Sequence, residues 1–558
     1  MKWFRYNKTI CNYLICGMIG IVLFLALYGF TPLNVCNDAW IMAGYDESDL
    51  IQHYAGWVQY RNSEWSFPLG LISDMAEGTG TMLSFTDSIP LVAIFCKIIE
   101  GILPDTFQYF GIYMLLCFIL QSIAGYKIVR LRTEDNLWGY LGAIFFTVAP
   151  IFLERAFRHT ALASHWIALF AFFVYLKSRD DRRNGIKKYY LSYLWLNVLA
   201  VCIHPYFLPM VMIFALLTGM EHSIRFHNYM QNGALFVLNL VAAYVAGWLI
   251  GALGWGIESS RFGYGYFSMN LNALVNPRSL GEYDWSKLLP ELAQINGNYD
   301  GFNYLGLGAI LLLCIEVVLF VKKWMNTTDK KLWLLDHGLL IAAFVFLTLF
   351  AVTNVVTLNG KEILNIPIPE FLYWKCGIFR ASGRIFYPVY YAIYTAGIYL
   401  LLENKDKAKL TLAALAGCMI LQVADMSGMI IEKHEMMDKN ATYASVLDDK
   451  VLTGAAEGHN RLVMSGVWDI VEMRRISVWA GKNDITTSYS VANSGVYAEA
   501  DTLLSKTLAE LEMGNLEGDV IYVTQDQALY EKWLGCVDES QVIKYNYNDF
   551  YYIIPKIG

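Results

Sequence analysis

Apolar residues along this chain come in long, nearly unbroken runs rather than in the short alternations of a water-soluble fold. A helix needs about 20 apolar residues to cross a bilayer. Runs of that kind fall roughly at residues 10–30, 106–127, 136–153, 160–176, 189–203, 205–220, 233–255, 303–321, 333–356, 384–402 and 409–425. The pattern predicts an α-helical polytopic membrane protein with about eleven transmembrane helices. Two assignments turn on single features. The stretch "DSIPLVAIFCKIIEGILP", residues 87–104, is short and carries Lys97 and Glu100, which predicts a helix lying at the outer interface rather than a span. Residues 189–220 are too many for one ordinary helix and hold His204-Pro205 at their middle, where proline ends one helix and lets a second begin.

Charge in the connectors fixes an orientation, because short cytoplasmic loops collect Lys and Arg. Five connectors do so: Lys127, Arg130 and Arg132; Lys177, Arg179, Arg182, Arg183, Lys187 and Lys188; Arg225; Lys322, Lys323, Lys330 and Lys331; and Lys405, Lys407 and Lys409. Eleven spans and an inside N-terminus put all five in the cytoplasm. The outer side then receives the first loop (31–105), a second long loop (256–302), a shorter one (357–383) and the segment beyond about 430. That last segment alternates strand-like pieces ("RLVMSG", "DVIYVTQD", "DFYYIIP") with helix-like ones ("TLLSKTLAELEMG", "DQALYEKWLG") and predicts a small α/β domain. The expected organisation is a transmembrane module over 1–428 and a soluble extracytoplasmic α/β domain over 429–558, with any chemistry outside. No internal repeat of the transporter kind is visible.

Composition agrees: 56% of the 558 residues are hydrophobic and 16% charged, too apolar for a soluble chain of this length. Net charge is −7 and no extended basic face exists, which argues against nucleic acid as a partner. Lys2, Arg5 and Lys8 followed by an uncharged stretch from Thr9 to Asn37 look like a secretory signal, but the apolar part is too long and no small-x-small site follows; a retained first span is expected. The cysteines sit mostly in apolar runs (Cys117, Cys202, Cys314, Cys418) without CxxC spacing, as small hydrophobes rather than metal or disulfide pairs.

Candidate chemistry collects in four places. The first outer loop opens with "GYDESDLIQHYAGW", carrying Asp46, Glu47, Asp49 and His53, and continues to Trp57, Trp65, Asp74, Glu77 and Asp87. A solvated loop with interfacial tryptophans accounts for the aromatics; acids at the junction of span and loop have no such explanation. The turn "FLERAFRHTALASHW" gives Glu154, Arg155, Arg158, His159 and His165, where ionisable groups near membrane depth face a polar cavity or pair with each other. Arg155 and Arg158, three apart, would share a helix face and grip a phosphate; a Glu154–Arg158 pair that merely closes the turn is the plain alternative. "CGIFRASGRIFYPVYY" sets Arg380 and Arg384 one helical turn apart, beside Ser382 and Gly383, although interfacial arginines commonly snorkel. The second long loop adds "SSRFGYGYFSMNLNALVNP", whose Gly and Tyr density suggests a binding loop.

The motifs "DLIQHYAGWVQYR", "FTDSIP", "FRHTALASHW", "SMNLNALVNP" and "FRASGRIFYPVYY" resemble those of an uncharacterised bacterial membrane family placed in the GT-C glycosyltransferase superfamily, whose members use polyprenyl-phosphate-linked sugars. The resemblance covers most of residues 40–395. It implies that Asp49 is the general base, with Asp46 as fallback, that Glu154 is the acid of the next loop, and that Arg155, Arg158, His159, Arg380 and Arg384 hold the donor phosphate. His53, Asp87, His165, Tyr264, Tyr266 and Asn270 complete the set as substrate-binding candidates. The superfamily often shows two adjacent acids in the first loop; Asp46-Glu47 are adjacent here while Asp49 begins the stronger motif, which leaves the base open.

The implied reaction is a single inverting displacement at the anomeric carbon, with a base worth about 10² to 10⁴ in rate. A phosphate leaves as a stable anion and needs preorganised positive charge, not the second raised-pKa carboxyl of a glycosidase. Some relatives bridge carboxylates and phosphate with a divalent cation; the acids here permit Mg or Mn but no spacing demands either. The expected partners are the lipid-linked donor, a lipid or surface-glycan acceptor, and the bilayer, with the protein in the plasma membrane. A flippase or transporter of lipid-linked saccharides is the competing reading, and a scaffold with the outer domain as its working part is the third.

Overall fold

The structure, a computed structural model, describes residues 2–46, 49–181, 185–255, 263–281, 283–445, 447–492 and 497–556. Glu47, Arg182, Arg183 and the start of the second-loop motif, 259–262, lie outside the described residues. The chain divides into two compact units. The first comprises 1–33, 110–244 and 261–438; the second comprises 34–109, 245–260 and 439–558. The first long loop thus belongs with the C-terminal segment, a grouping that linear sequence does not suggest.

Among the described residues, eight helices are long and apolar enough to cross a membrane: Thr9–Tyr28, Phe110–Val129, Thr160–Asp180, Phe207–Phe226, Tyr229–Leu249, Lys330–Val352, Ser382–Glu403 and Ala408–Asp425. The protein is therefore a polytopic membrane protein. Three further apolar runs are also helical but differ in length or charge. Residues 136–153 break into Asn136–Thr147 and Pro150–Arg155, the first about 18 Å long at 1.5 Å per residue. Lys187–Ile203 is 17 residues, and Leu307–Asn326 carries Glu316, Lys322 and Lys323. The expected break at His204-Pro205 is present. His204 is extended, as a residue before proline prefers, and the next helix starts at Phe207. Pro90–Ile98 has nine residues, about 13 Å, too short to span.

Within the first unit, helices approach through small residues, as membrane helices do for lack of a hydrophobic drive between them. Gly20 lies against the backbone of Phe118 and Ile119, and Gly125 against Phe146. Buried tyrosines then stitch the helices: Tyr390 donates to Tyr304 O at 2.8 Å, Tyr394 to Leu305 O at 2.6 Å, and Gln121 donates to the Tyr391 hydroxyl at 2.8 Å.

The second unit is built on a five-stranded sheet in the order Thr486–Thr487, Arg461–Met464, Val520–Thr524, Phe550–Pro555, Val542–Tyr547. The first three strands run parallel, and Phe550–Pro555 is antiparallel to both its neighbours. Alternation along each strand sends side chains to opposite faces. Leu462, Met464, Ile521 and Val523 pack with Ile476 and Trp479 of the Ile470–Lys482 helix. Val463, Val520 and Tyr522 pack with Leu511 and Trp533 of two other helices. The expected strands and helices of an α/β segment are therefore present.

The first loop is built onto this sheet. Asp74 O accepts from Thr487 N at 2.9 Å, and Glu77 lies 2.8 Å from Arg461. The Asp49–Asn62 helix is buried from Leu50 to Tyr60, and Gln59 donates to Ser477 O of the Ile470–Lys482 helix at 3.3 Å.

Candidate functional site

Two of the four arginines predicted from sequence, Arg155 and Arg384, converge in the first unit on Asp300, an acid not among the sequence candidates. Arg384 grips Asp300 with two parallel bonds, Nε to Oδ1 at 3.0 Å and Nη2 to Oδ2 at 2.8 Å. Arg155 reaches the same residue, its Nη2 lying 2.8 Å from Oδ1 and donating to the Asp300 carbonyl at 2.7 Å. Its Nε donates to the Tyr387 hydroxyl at 2.9 Å, and its Nη1 stands 3.5 Å from His159 Nδ1. All three residues are buried. Burial alone would raise the Asp300 carboxyl pKa; Arg384 and Arg155 overcome it and hold it below the usual value.

Local structure explains this convergence. Asp300 sits in a short 3₁₀ turn, Asn298–Gly301, entered through Gly297 at φ 95°. A second 3₁₀ turn, Ser382–Phe386, carries Arg384. The two meet at Gly301 and Gly383, where a Cβ on either would collide with backbone. Asn303 bridges them, donating to Gly301 O at 3.0 Å and Gly383 O at 3.1 Å.

The remaining cations separate. Arg158 pairs with Glu154, four residues away and equally buried, so the plain alternative for that turn is what forms. The expected shared helix face of Arg155 and Arg158 does not exist, because the helix ends at Arg155, Ala156 is extended and Phe157 has φ 66°. The helical turn expected between Arg380 and Arg384 is likewise interrupted at Ala381: Arg384 turns inward, while Arg380 lies half-buried over the Phe267 ring at 5.9 Å. His165, fully buried, bonds the Tyr391 hydroxyl at 2.8 Å, with its ring 4.4 Å from that of Tyr387.

Of the loop candidates, Tyr264 packs on Phe350 and Tyr373, and Tyr266 packs edge-on against Phe267. Asn270 is buried, and neither end of its amide has a hydrogen-bond partner among the described residues. It follows Met269, whose backbone packs against Gly301 and Gly383. A buried amide left without partners costs roughly 1–3 kcal/mol.

The acids belong to the second unit. Asp49 opens its helix and accepts from Arg474 Nη1 at 3.0 Å; Arg474 also donates to Gln52 at 2.6 Å. Arg474 is buried while Asp49 stays about a quarter exposed, so the arginine orients a carboxylate that remains reachable. Burial lowers the Arg474 pKa and Asp49 opposes that shift. Asp46 is buried at φ 48°. His53 is wholly buried, and its carbonyl accepts from Ser88 at 2.7 Å. Asp87 is half-buried at φ 56°. Among the described residues no group of three His, Cys, Asp or Glu is arranged to hold a metal ion.

Sequence reasoning missed Asp300 and Arg474. The only signal for Asp300 was an acid inside "NGNYDGFNY", between glycines and asparagines just before an apolar run. For Arg474 there was none, since its partner lies 425 residues away.

Eight apolar helices among the described residues and an internal cluster of buried ionic groups define the class as a polytopic membrane protein. The family described as Domain of unknown function (DUF6311) matches residues 17–427, and the chain belongs to it. No curated protein matches the chain.

Proposed function

We propose that this protein is a membrane glycosyltransferase that moves a sugar from a polyprenyl-phosphate donor to a lipid, glycan or polymer acceptor at the outer face of the plasma membrane. The observation that carries the reading is the Arg155–Asp300–Arg384 cluster, in which two buried guanidiniums share one carboxylate. One positive charge is left in excess. A buried charge needs a counter-ion, and guanidinium pairs match the geometry of a phosphate group. The partnerless Asn270 amide on the adjoining loop supports a polar ligand at the same place.

In this reading an acceptor hydroxyl attacks the anomeric carbon, a carboxylate takes its proton, and the carbon–oxygen bond to phosphate breaks with its electron pair on the phosphate. Arg155 and Arg384 stabilise the departing anion, a contribution of about 2.7–4 kcal/mol for a preorganised donor. Asp49 is assigned as the base from the family resemblance, with Asp46 as fallback; Arg474 would hold Asp49 in place. The proposed topology has eleven spans, with the N-terminus in the cytoplasm and the C-terminal segment outside.

The test compares cells with the gene, without it, and carrying Asp49→Asn or Arg384→Gln, by mass analysis of envelope glycans and lipid-linked sugars. The expected result is a glycan lost in the deletion and in both variants, with the lipid-linked sugar accumulating. An unchanged glycan profile in the deletion sinks the proposal. A lipid-linked sugar that fails to reach the outer leaflet, with glycosidic bonds intact elsewhere, indicates a flippase instead.

A further inference from the structure

The helix that begins beside His165 ends at Asp180, at the far end of the first unit from the Asp300 cluster. There a cavity of about 290 Å³ opens, lined among others by Arg179, Asp181, Lys187, Glu221, Arg225 and Gln231. Its walls are the ends of Trp166–Asp180 and Phe207–Phe226 and the starts of Lys187–Ile203 and Tyr229–Leu249.

Both carboxylates in the wall are already engaged. Glu221 accepts from Tyr175 at 2.6 Å and lies 3.2 Å from Arg179. Asp181 takes Lys188 and the Tyr189 hydroxyl, the latter at 2.8 Å. Among the described residues Lys187 and Arg225 have no carboxylate within 4.0 Å. The cavity therefore presents two uncommitted cations beside the amide of Gln231.

Two exposed apolar stripes lead away from those groups into the region that lipid would occupy. On one helix Lys187, Leu191 and Trp195 follow at four-residue steps, and both apolar members are more than half exposed. On the other, Gln231, Ala234, Leu238 and Val241 share a face by their spacing of three, seven and ten, with Leu238 and Val241 again about half exposed. Asn197 donates to Asn239 at 3.0 Å and holds these two helices side by side. A polar, cationic hollow at the top of paired apolar stripes has the amphipathic shape of a phospholipid.

We propose that this cavity binds the phosphate of an anionic phospholipid headgroup, with the acyl chains lying along the two stripes. Guanidinium and ammonium groups recognise the phosphate, and basic pockets at helix ends are suited to anionic headgroups. The apolar stripes favour a lipid over a free phosphate. The site is separate from the donor cluster and stands or falls without it.

The test uses the full-length protein in nanodiscs of phosphatidylcholine, with and without phosphatidylglycerol, and follows Tm. The wild type should melt several degrees higher with the anionic lipid, and Lys187→Gln/Arg225→Gln should lose that increment while keeping its Tm in phosphatidylcholine. Should the double variant not fold, Arg225→Gln alone should lose most of the increment. Lys331→Gln, on a neighbouring basic connector, should retain all of it. Inorganic phosphate added in phosphatidylcholine should give no shift. Equal protection by inorganic phosphate, a full lipid response in the cavity variants, or no response in the wild type would each overturn the assignment.

Discussion

At the scale of the residue, Asp300 carries more of the site than any residue chosen from sequence. Replacing it with Asn leaves two buried guanidiniums without their shared carboxylate. Breaking a buried pair costs about 3–5 kcal/mol. Asp300→Asn should therefore lower Tm in detergent markedly, and the Asp300→Asn/Arg384→Gln variant should lose less than the two single losses added, because the groups act together. The same carboxylate gives a pH signature. Its folded pKa lies below the unfolded value, so its contribution is complete above about pH 4 and disappears as pH falls through the lower, folded pKa. Acid unfolding below pH 4 should be steeper in the wild type than in Asp300→Asn. Cations were legible here because arginines near membrane depth are rare enough to notice. Their partners were not, since Asp300 is separated from Arg155 by 145 residues and from Arg384 by 84. The Glu154–Arg158 pair was legible for the opposite reason: four residues apart, it is a local contact.

At the scale of the element, apolar runs predicted helices well and their interruptions less well. The break at His204-Pro205 follows from proline chemistry and was readable. The end of the helix at Arg155 was not, because Ala156 and Phe157 carry no breaking signal; Phe157 adopts φ 66° while its ring packs edge-on against Tyr28 at 4.9 Å. The two 3₁₀ turns that carry Asp300 and Arg384 depend on glycine at their contact. Gly383→Ala places a Cβ against the backbone of Gly301, and overpacking of this sort costs about 1–3 kcal/mol. Its expected consequence is a lower Tm with Arg384 displaced from Asp300. A Gly383→Ala variant with unchanged stability would show that the turns have room to separate.

At the scale of the whole molecule, three of the five strands of the C-terminal sheet, Arg461–Met464, Val520–Thr524 and Phe550–Pro555, were legible as strand-like pieces, while Thr486–Thr487, Val542–Tyr547 and the company the strands keep were not. The first long loop read as a loop. It folds instead as part of the second unit, where Arg474 holds Asp49 and Gln52, Gln59 bonds the Ile470–Lys482 helix, and Arg461 holds Glu77. Pairings over some 400 residues leave no local trace in sequence. Deleting residues 439–558 should therefore expose the buried side chains of 34–109, and limited proteolysis of the truncated protein should cut within that loop at sites protected in the full chain. Protection that survived the deletion would mean the loop folds without the segment. The family match ends at residue 427, before this segment begins.

If Arg155 and Arg384 hold a lipid-borne phosphate, as proposed, the purified full-length protein should bind a polyprenyl phosphate at equilibrium through them. Arg384→Gln, with its fold checked by Tm, should weaken binding at least about tenfold, as losing a charge-assisted hydrogen bond worth about 1.5–3 kcal/mol requires. Binding of equal strength in the wild type and in the folded variant would contradict it.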